Sequence, residues 1–237
     1  LDSRKLIVLL GCHAAALQRC RRPMSLSALA SLGALPPLPD GAHLALSAPG
    51  WGRGVGTGGR VWPASEVLCH VLQTELSADA SVLELGCGVG AVGLYAAALG
   101  ASAVLTDADD ACLALARENA NRNSELLRGA VDVQPYRWGV APPDGGPFSL
   151  ILGADITYEA RSHRALTKTL HTLVSAEAPP RVLIAHQHRP VASALRGVGG
   201  LDHFRAAARR RGLEATEISR QSVGLGVVSL LEVAAGG

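Results

Sequence analysis

"LELGCGVGAVG", residues 83–93, carries two overlapping patterns. Read from Gly88 it is G-V-G-A-V-G, a match to the G-x-G-x-x-G of dinucleotide-binding folds. Read from Glu84 it is E-L-G-C-G-V-G, the acid-then-glycine pattern of S-adenosylmethionine sites. Both readings describe a strand ending in a tight turn that opens a helix. Gly86, Gly88 and Gly90 let the backbone turn and approach a nucleoside closely, since a Cβ there would intrude. The stretch decides the fold class, α/β, before it decides the chemistry.

Outward from it the same alternation continues. Upstream, Val67, Leu68, Val71, Leu72 and Leu76 follow Pro63 at helical spacing and predict an amphipathic helix. "SVLEL" (81–85) is a short apolar strand, and "AVGLYAAAL" (91–99) a helix stopped by Gly100. "ASAVLT" (101–106) is a second strand, and Asp109 can cap the helix running to about Asn121. "AVDVQ" and "FSLILGA" read as the third and fourth strands. Ala165, Leu166, Thr169, Leu170, Leu173 and Val174 stripe another helix, and "RVLIAH" is a fifth strand. "LDHFRAAARRRG" is a helix closed by glycine. "EATEIS" and "GVVSLLEV", with no helix between them, form a terminal hairpin. The expected architecture is a seven-stranded, mostly parallel sheet with helices on both faces and an antiparallel hairpin at one edge.

Composition narrows the function classes. The chain has 237 residues, 48% apolar and 18% charged, which describes an ordered globular protein with a sizeable core. A net charge of +2 gives no strong pull toward nucleic acid or membrane. No apolar run approaches the roughly 18–20 residues of a membrane span. Five cysteines (Cys12, Cys20, Cys69, Cys87, Cys112) form no C-x-x-C pair and leave one over, which suits a reducing compartment. The apolar run 6–17, flanked by basic residues, has the look of a signal or transit segment, or of an extra helix. "ALPPLPDG" (34–41) then reads as a linker, and "GWGRGVGTGGR" (50–60) as a mobile loop.

The glycines alone do not choose between the two cofactors, and neither does Asp107. It ends the second strand, where a carboxylate accepts ribose hydroxyls in either class. Glu84 does choose. A carboxylate inside the first strand is unfavourable beside a pyrophosphate and compatible with a ligand carrying an ammonium and a sulfonium. Gly93, which completes the dinucleotide pattern, is assigned instead to close helix packing. The fourth strand then delivers "DITY" to the carboxyl edge of the sheet, placing Asp155 and Tyr158 beside the expected cofactor.

"GGRVWPASEVL", "VLELGCGVGAVGL", "LTDADDACLALARENANRN", "YRWG" and "LILGADITYE" together resemble the successive motifs of the seven-strand methyltransferase-like family, whose members mostly methylate lysines of non-histone proteins. The resemblance spans about residues 59–234, and its D-x-x-Y element is the most specific. It implies a class I (Rossmann-like) methyltransferase fold over residues 46–237, behind an N-terminal extension at 1–45. It also implies S-adenosyl-L-methionine as the cofactor. Trp62 would lie against it, the backbone of Gly86, Cys87 and Gly88 would form the loop, and Asp107 would bind the ribose. Trp138 would flank the adenine, and Ala154 would touch the cofactor through its main chain. Asp155 and Tyr158 would receive the target lysine, Asp155 orienting the amine. Cys87 and Val89 stand where the family often has alanine or threonine.

The implied enzyme is a protein-lysine N-methyltransferase with a protein substrate, a cytoplasmic monomer with no nucleic-acid or membrane partner. An organellar location follows if residues 1–35 act as a transit segment. The alternatives are another methyl acceptor (arginine or a small molecule) and an NAD(P)-dependent oxidoreductase. "DITY" lacks the prolines of exocyclic-amine enzymes that act on bases. His186 and His188 sit two apart on a strand end, but with no third ligand at recognisable spacing no metal is expected. "RRR" at 209–211 is read as a solvated helix end that complements the helix dipole.

Overall fold

The computed structural model describes residues 35–50, 56–189, 200–224 and 226–237. The stretch 6–17, Cys12, Cys20 and residues 51–55 of the glycine-rich loop lie outside them. The elements are α1 (Pro63–Glu75), β1 (Ser81–Leu85), α2 (Ala91–Ala98), β2 (Ser102–Asp107), α3 (Asp110–Arg122), β3 (Val131–Pro135), β4 (Leu150–Ala154), α4 (His163–Val174), β5 (Arg181–Gln187), α5 (Leu201–Arg209), β6 (Leu213–Val223) and β7 (Gly226–Ala235).

One seven-stranded sheet has the order β3-β2-β1-β4-β5-β7-β6. The first five strands run parallel, and β7 pairs antiparallel with both β5 and β6. The expected terminal hairpin is therefore present at one edge, its second strand inserted next to β5. A register shift between Glu217 and Ser219 interrupts its ladder.

Strand alternation sorts the core into two. Val82, Leu152, Leu183 and Leu230 pack under α1 and α2, while Leu83, Leu85, Ile151, Ile184 and Leu231 pack under α4 and α5. The same period of two places Glu84 on the Val82 face, beneath the start of α2. Strands buried on both faces explain the nearly continuous apolar runs. Asp109 caps α3 by accepting the Ala111 N–H at 2.9 Å, a cap worth about 1 kcal/mol.

Residues 35–50 depart from the linker reading of 34–41. Leu38 is buried in the core, and the Pro37 carbonyl accepts the Tyr95 hydroxyl at 2.9 Å and the Gln73 amide at 2.7 Å. Further along, Asn119 of α3 and Asn123, the residue that caps its end, accept the N–H groups of Ser47 and Ala45 at 2.6 and 2.7 Å and donate back to their carbonyls. Two buried amides one helical turn apart thus act as a substitute backbone for an extended segment.

Candidate active site

The strand order reverses between β1 and β4, and there the carboxyl ends of the strands open a cavity of about 990 Å³. Trp62, Glu84, Gly86, Cys87, Gly88, Asp107, Trp138, Ala154, Asp155 and Tyr158 all line it. Gly90 does not line the cavity. It is the N-cap of α2 in left-handed conformation (φ 81°), where an added Cβ would lie 2.9 Å from Leu105 Cδ2.

The β1 end is made of backbone. Gly86 and Gly88 both have positive φ, and a Cβ on Gly88 would meet the Gly58 carbonyl oxygen at 2.7 Å. Only hydrogen at Gly88 lets residues 56–59 close over the loop. The Gly88 N–H donates to Asp107 Oδ2 at 3.0 Å, and the Asp109 N–H donates to Oδ1 at 3.0 Å. Burial raises Asp107, and these N–H groups partly offset it.

Glu84 is 1% exposed and accepts the Gly93 N–H at 2.8 Å, at the first turn of α2. Burial pushes its carboxyl up to about 8, against the opposing pull of the Gly93 and Val92 N–H groups. A Cβ on Gly93 would sit 2.6 Å from Leu105 Cδ1 and 2.7 Å from Glu84 Oε2, so this glycine serves helix packing. Cys87 is buried with its thiol raised well above the ordinary range, which makes it wall rather than nucleophile.

The β4 end is made of side chains. Asp155 is 4% exposed and holds φ 57°, anchored by its N–H to the Ala185 carbonyl at 2.7 Å. Aspartate tolerates this left-handed conformation better than most residues. Its carboxylate takes a two-pronged contact from Arg189: Nη1 donates to Oδ1 at 3.0 Å and Nη2 donates to Oδ2. The Gln187 N–H adds a third donor at 3.2 Å. Burial raises the Asp155 carboxyl above its ordinary range, and Arg189 and the Gln187 N–H offset that only in part. The Arg189 guanidinium lies 5.2 Å from the Tyr158 ring centre and 5.7 Å from that of Trp62. The Tyr158 hydroxyl shares a hydrogen bond of 3.0 Å with Thr57 Oγ1, and the Trp62 indole N–H donates to the Thr57 carbonyl at 3.0 Å.

Arg189 and Thr57 are the residues of this end that the sequence motifs do not assign. Neither carries a spacing signal, because both meet Asp155 and Tyr158 only through the fold. His186 and His188 are accounted for by hydrogen bonds to Thr157 Oγ1 and Ser229 Oγ, each at 2.7 Å. Burial lowers His186 to about 4.

A doubly covered, seven-stranded sheet with a nucleoside-sized cavity at its switch point is a class I methyltransferase fold. A family model described as lysine methyltransferase matches residues 45–195, more than half of the chain, and the chain belongs to that family. Protein N-lysine methyltransferase METTL21A of Danio rerio is 39% identical over 136 residues, covering 54% of this chain and 60% of that protein. Histone-arginine methyltransferase METTL23 of Xenopus laevis is 33% identical over 121 residues, covering 48% of this chain and 50% of that protein. The chain thus spans between about half and three-fifths of the length of these relatives. Among solved structures, magnesium protoporphyrin IX methyltransferase of Synechocystis, with bound SAH, aligns with a TM-score of 0.55 at 16% identity. That alignment covers 73% of this chain and 82% of that one, and it supports the fold alone.

Proposed function

We propose that the protein is an S-adenosylmethionine-dependent lysine N-methyltransferase acting on a non-histone protein. The observation that carries this reading is the meeting, in one cavity, of the glycine loop with Asp107 and of the β4 end with Asp155 and Tyr158. The residues present fit the cofactor. The backbones of Gly86 and Gly88 line the cavity at its β1 end, Asp107 stands at the end of β2 for ribose hydroxyls, and Trp62 and Trp138 add aromatic wall. Glu84 is a buried acid with no ion-pair partner among the described residues, suited to a ligand carrying positive charge. When bound, S-adenosylmethionine supplies a methyl group already activated on a sulfonium.

What the protein adds is alignment and removal of water. A lysine amine is protonated near neutral pH and reacts only after losing its proton. The partly apolar wall of the cavity disfavours the ammonium form. Asp155 orients the amine, and Tyr158 packs or hydrogen-bonds beside it.

A specific observation favours one alternative: a relative named as an arginine methyltransferase matches at 33% identity. Incubation with labelled S-adenosylmethionine and a cell lysate, followed by mass spectrometry of the labelled chain, decides between them. Label on a lysine of a protein is expected, and label on arginine or nucleic acid overturns the reading. The cytoplasmic location is proposed from the buried, unbridged thiols of Cys69 and Cys87. No helix among the described residues is long and apolar enough to cross a membrane.

A further inference from the structure

The reactive end of the cavity holds a cation of the protein's own. Arg189 places both terminal nitrogens on Asp155 and lies against the Tyr158 and Trp62 rings, the groups that would surround an incoming side chain. Asp155 is held almost out of solvent, so its charge is only weakly screened by water. An unpaired carboxylate there would attract an ammonium and keep it protonated, which opposes methylation. It would also welcome a guanidinium, which stays charged at any working pH.

We propose that Arg189 is a positioning and specificity-determining residue: by pairing with Asp155 it cancels the carboxylate's charge, so the site accepts a neutral lysine amine and disfavours arginine. The proposal rests on the lysine reading above. The carboxylate keeps one acceptor position free, on Oδ2, to orient an amine while the pair as a whole carries no net charge. Among the described residues, the other charged or titratable groups around the same cavity are Arg60, Glu84, Asp107, Asp109, Arg137, Tyr158 and Arg161, with His186 on β5. His186 is held neutral by burial, Arg161 is paired with Glu159, and Glu84 faces the start of α2. Arg189 is the cation bonded to Asp155.

The experiment compares wild type, Arg189→Gln and Arg189→Lys, using the protein labelled in the lysate as substrate, together with its target Lys→Arg form. Single-turnover methylation is followed from pH 6.5 to 10, and binding of the Lys→Arg form is measured directly. Each unit by which the acceptor's pKa rises lowers its neutral fraction about tenfold near pH 7. Arg189→Gln is expected to slow transfer on the order of 10- to 100-fold at pH 7 and to recover most of it by pH 10. Arg189→Lys should stay within about threefold at pH 7, since it keeps the charge while losing the two-pronged geometry. The Lys→Arg form should bind Arg189→Gln about tenfold more tightly than wild type, as expected when a close charge pair is uncovered.

Faster transfer by Arg189→Gln at pH 7 overturns the proposal, because Arg189 would then only plug the site. A loss equal at every pH, not rescued by lysine, also overturns it and marks a purely structural role. Thermal melting of each variant with S-adenosylhomocysteine checks that the fold and cofactor half are intact. A wild type that labels no protein defeats the underlying function instead.

Discussion

At the end of β1, Glu84 is buried against the backbone N–H groups of α2; at the end of β4, Asp155 is buried against the guanidinium of Arg189. The two strands are neighbours in the sheet and both acids line the same cavity. Their partners differ in kind. A helix start offers partial positive charge and no proton to exchange, so burial wins and Glu84 is raised to about 8. A guanidinium offers a full charge in a matching fork, so Asp155 keeps a partner for its ionised form. One acid is poised to respond to whatever charge enters the cavity. The other has its charge already answered. A methyl-transfer site needs both conditions, one where a cation is held and one where a neutral amine is tolerated.

Four substitutions bear on this contrast. Asp155→Ala carries the largest effect: methyl transfer falls by at least about 100-fold while cofactor affinity, measured by calorimetry, changes little. Retained transfer would remove Asp155 from the reactive end. Gly93→Ala attacks the other acid through packing, pressing a methyl group against Leu105 and the Glu84 carboxyl. A loss of about 1–3 kcal/mol in urea unfolding is expected, together with weaker cofactor binding.

Glu84→Gln tests the raised acid directly. A folded pKa of about 8 against an ordinary 4.5 means the folded state holds the proton more tightly. Its stabilising contribution is complete below pH 4.5 and is lost as pH rises through about 8. The apo protein should therefore lose on the order of 1–3 kcal/mol between pH 5 and 8 that Glu84→Gln retains, read as a growing difference in melting temperature. Equal slopes in both proteins would show Glu84 to be ionised throughout. Tyr158→Phe is the mildest, removing only the hydroxyl contact to Thr57. A less than tenfold fall in kcat/KM is expected, in line with about 1 kcal/mol for one hydrogen bond.

The same contrast explains what the sequence disclosed. The β1 end is local: strand, glycines and helix follow one another within eleven residues, and Asp107 lies one strand further on. Its chemistry is written in spacing, and the apolar runs with their glycine stops give its strand and helix limits to within a residue or two. The β4 end is assembled from Thr57, Trp62, Asp155, Tyr158 and Arg189, drawn from three separate stretches of the chain. "DITY" was legible as a motif; its partners were not, because an ion pair between residues 155 and 189 leaves no periodic trace. Residues 35–50 were hidden for a related reason. Pro and Gly argue for a break, and the compensating amides of Asn119 and Asn123 lie some seventy residues downstream. Two asparagines four apart at the end of a helix were the available hint.

The backbone contact of Gly58 with Gly88 joins the roof of the cavity to its floor, and the hydrogen bonds of Thr57 to Tyr158 and Trp62 add to it. A molecule bound between them then adds its own free energy to their docking, about 2.7 kcal/mol at a concentration one hundred times its Kd. Hydrogen exchange of the amides at 56–62 will in consequence follow ligand concentration rather than the stability of the sheet, so the roof reports occupancy.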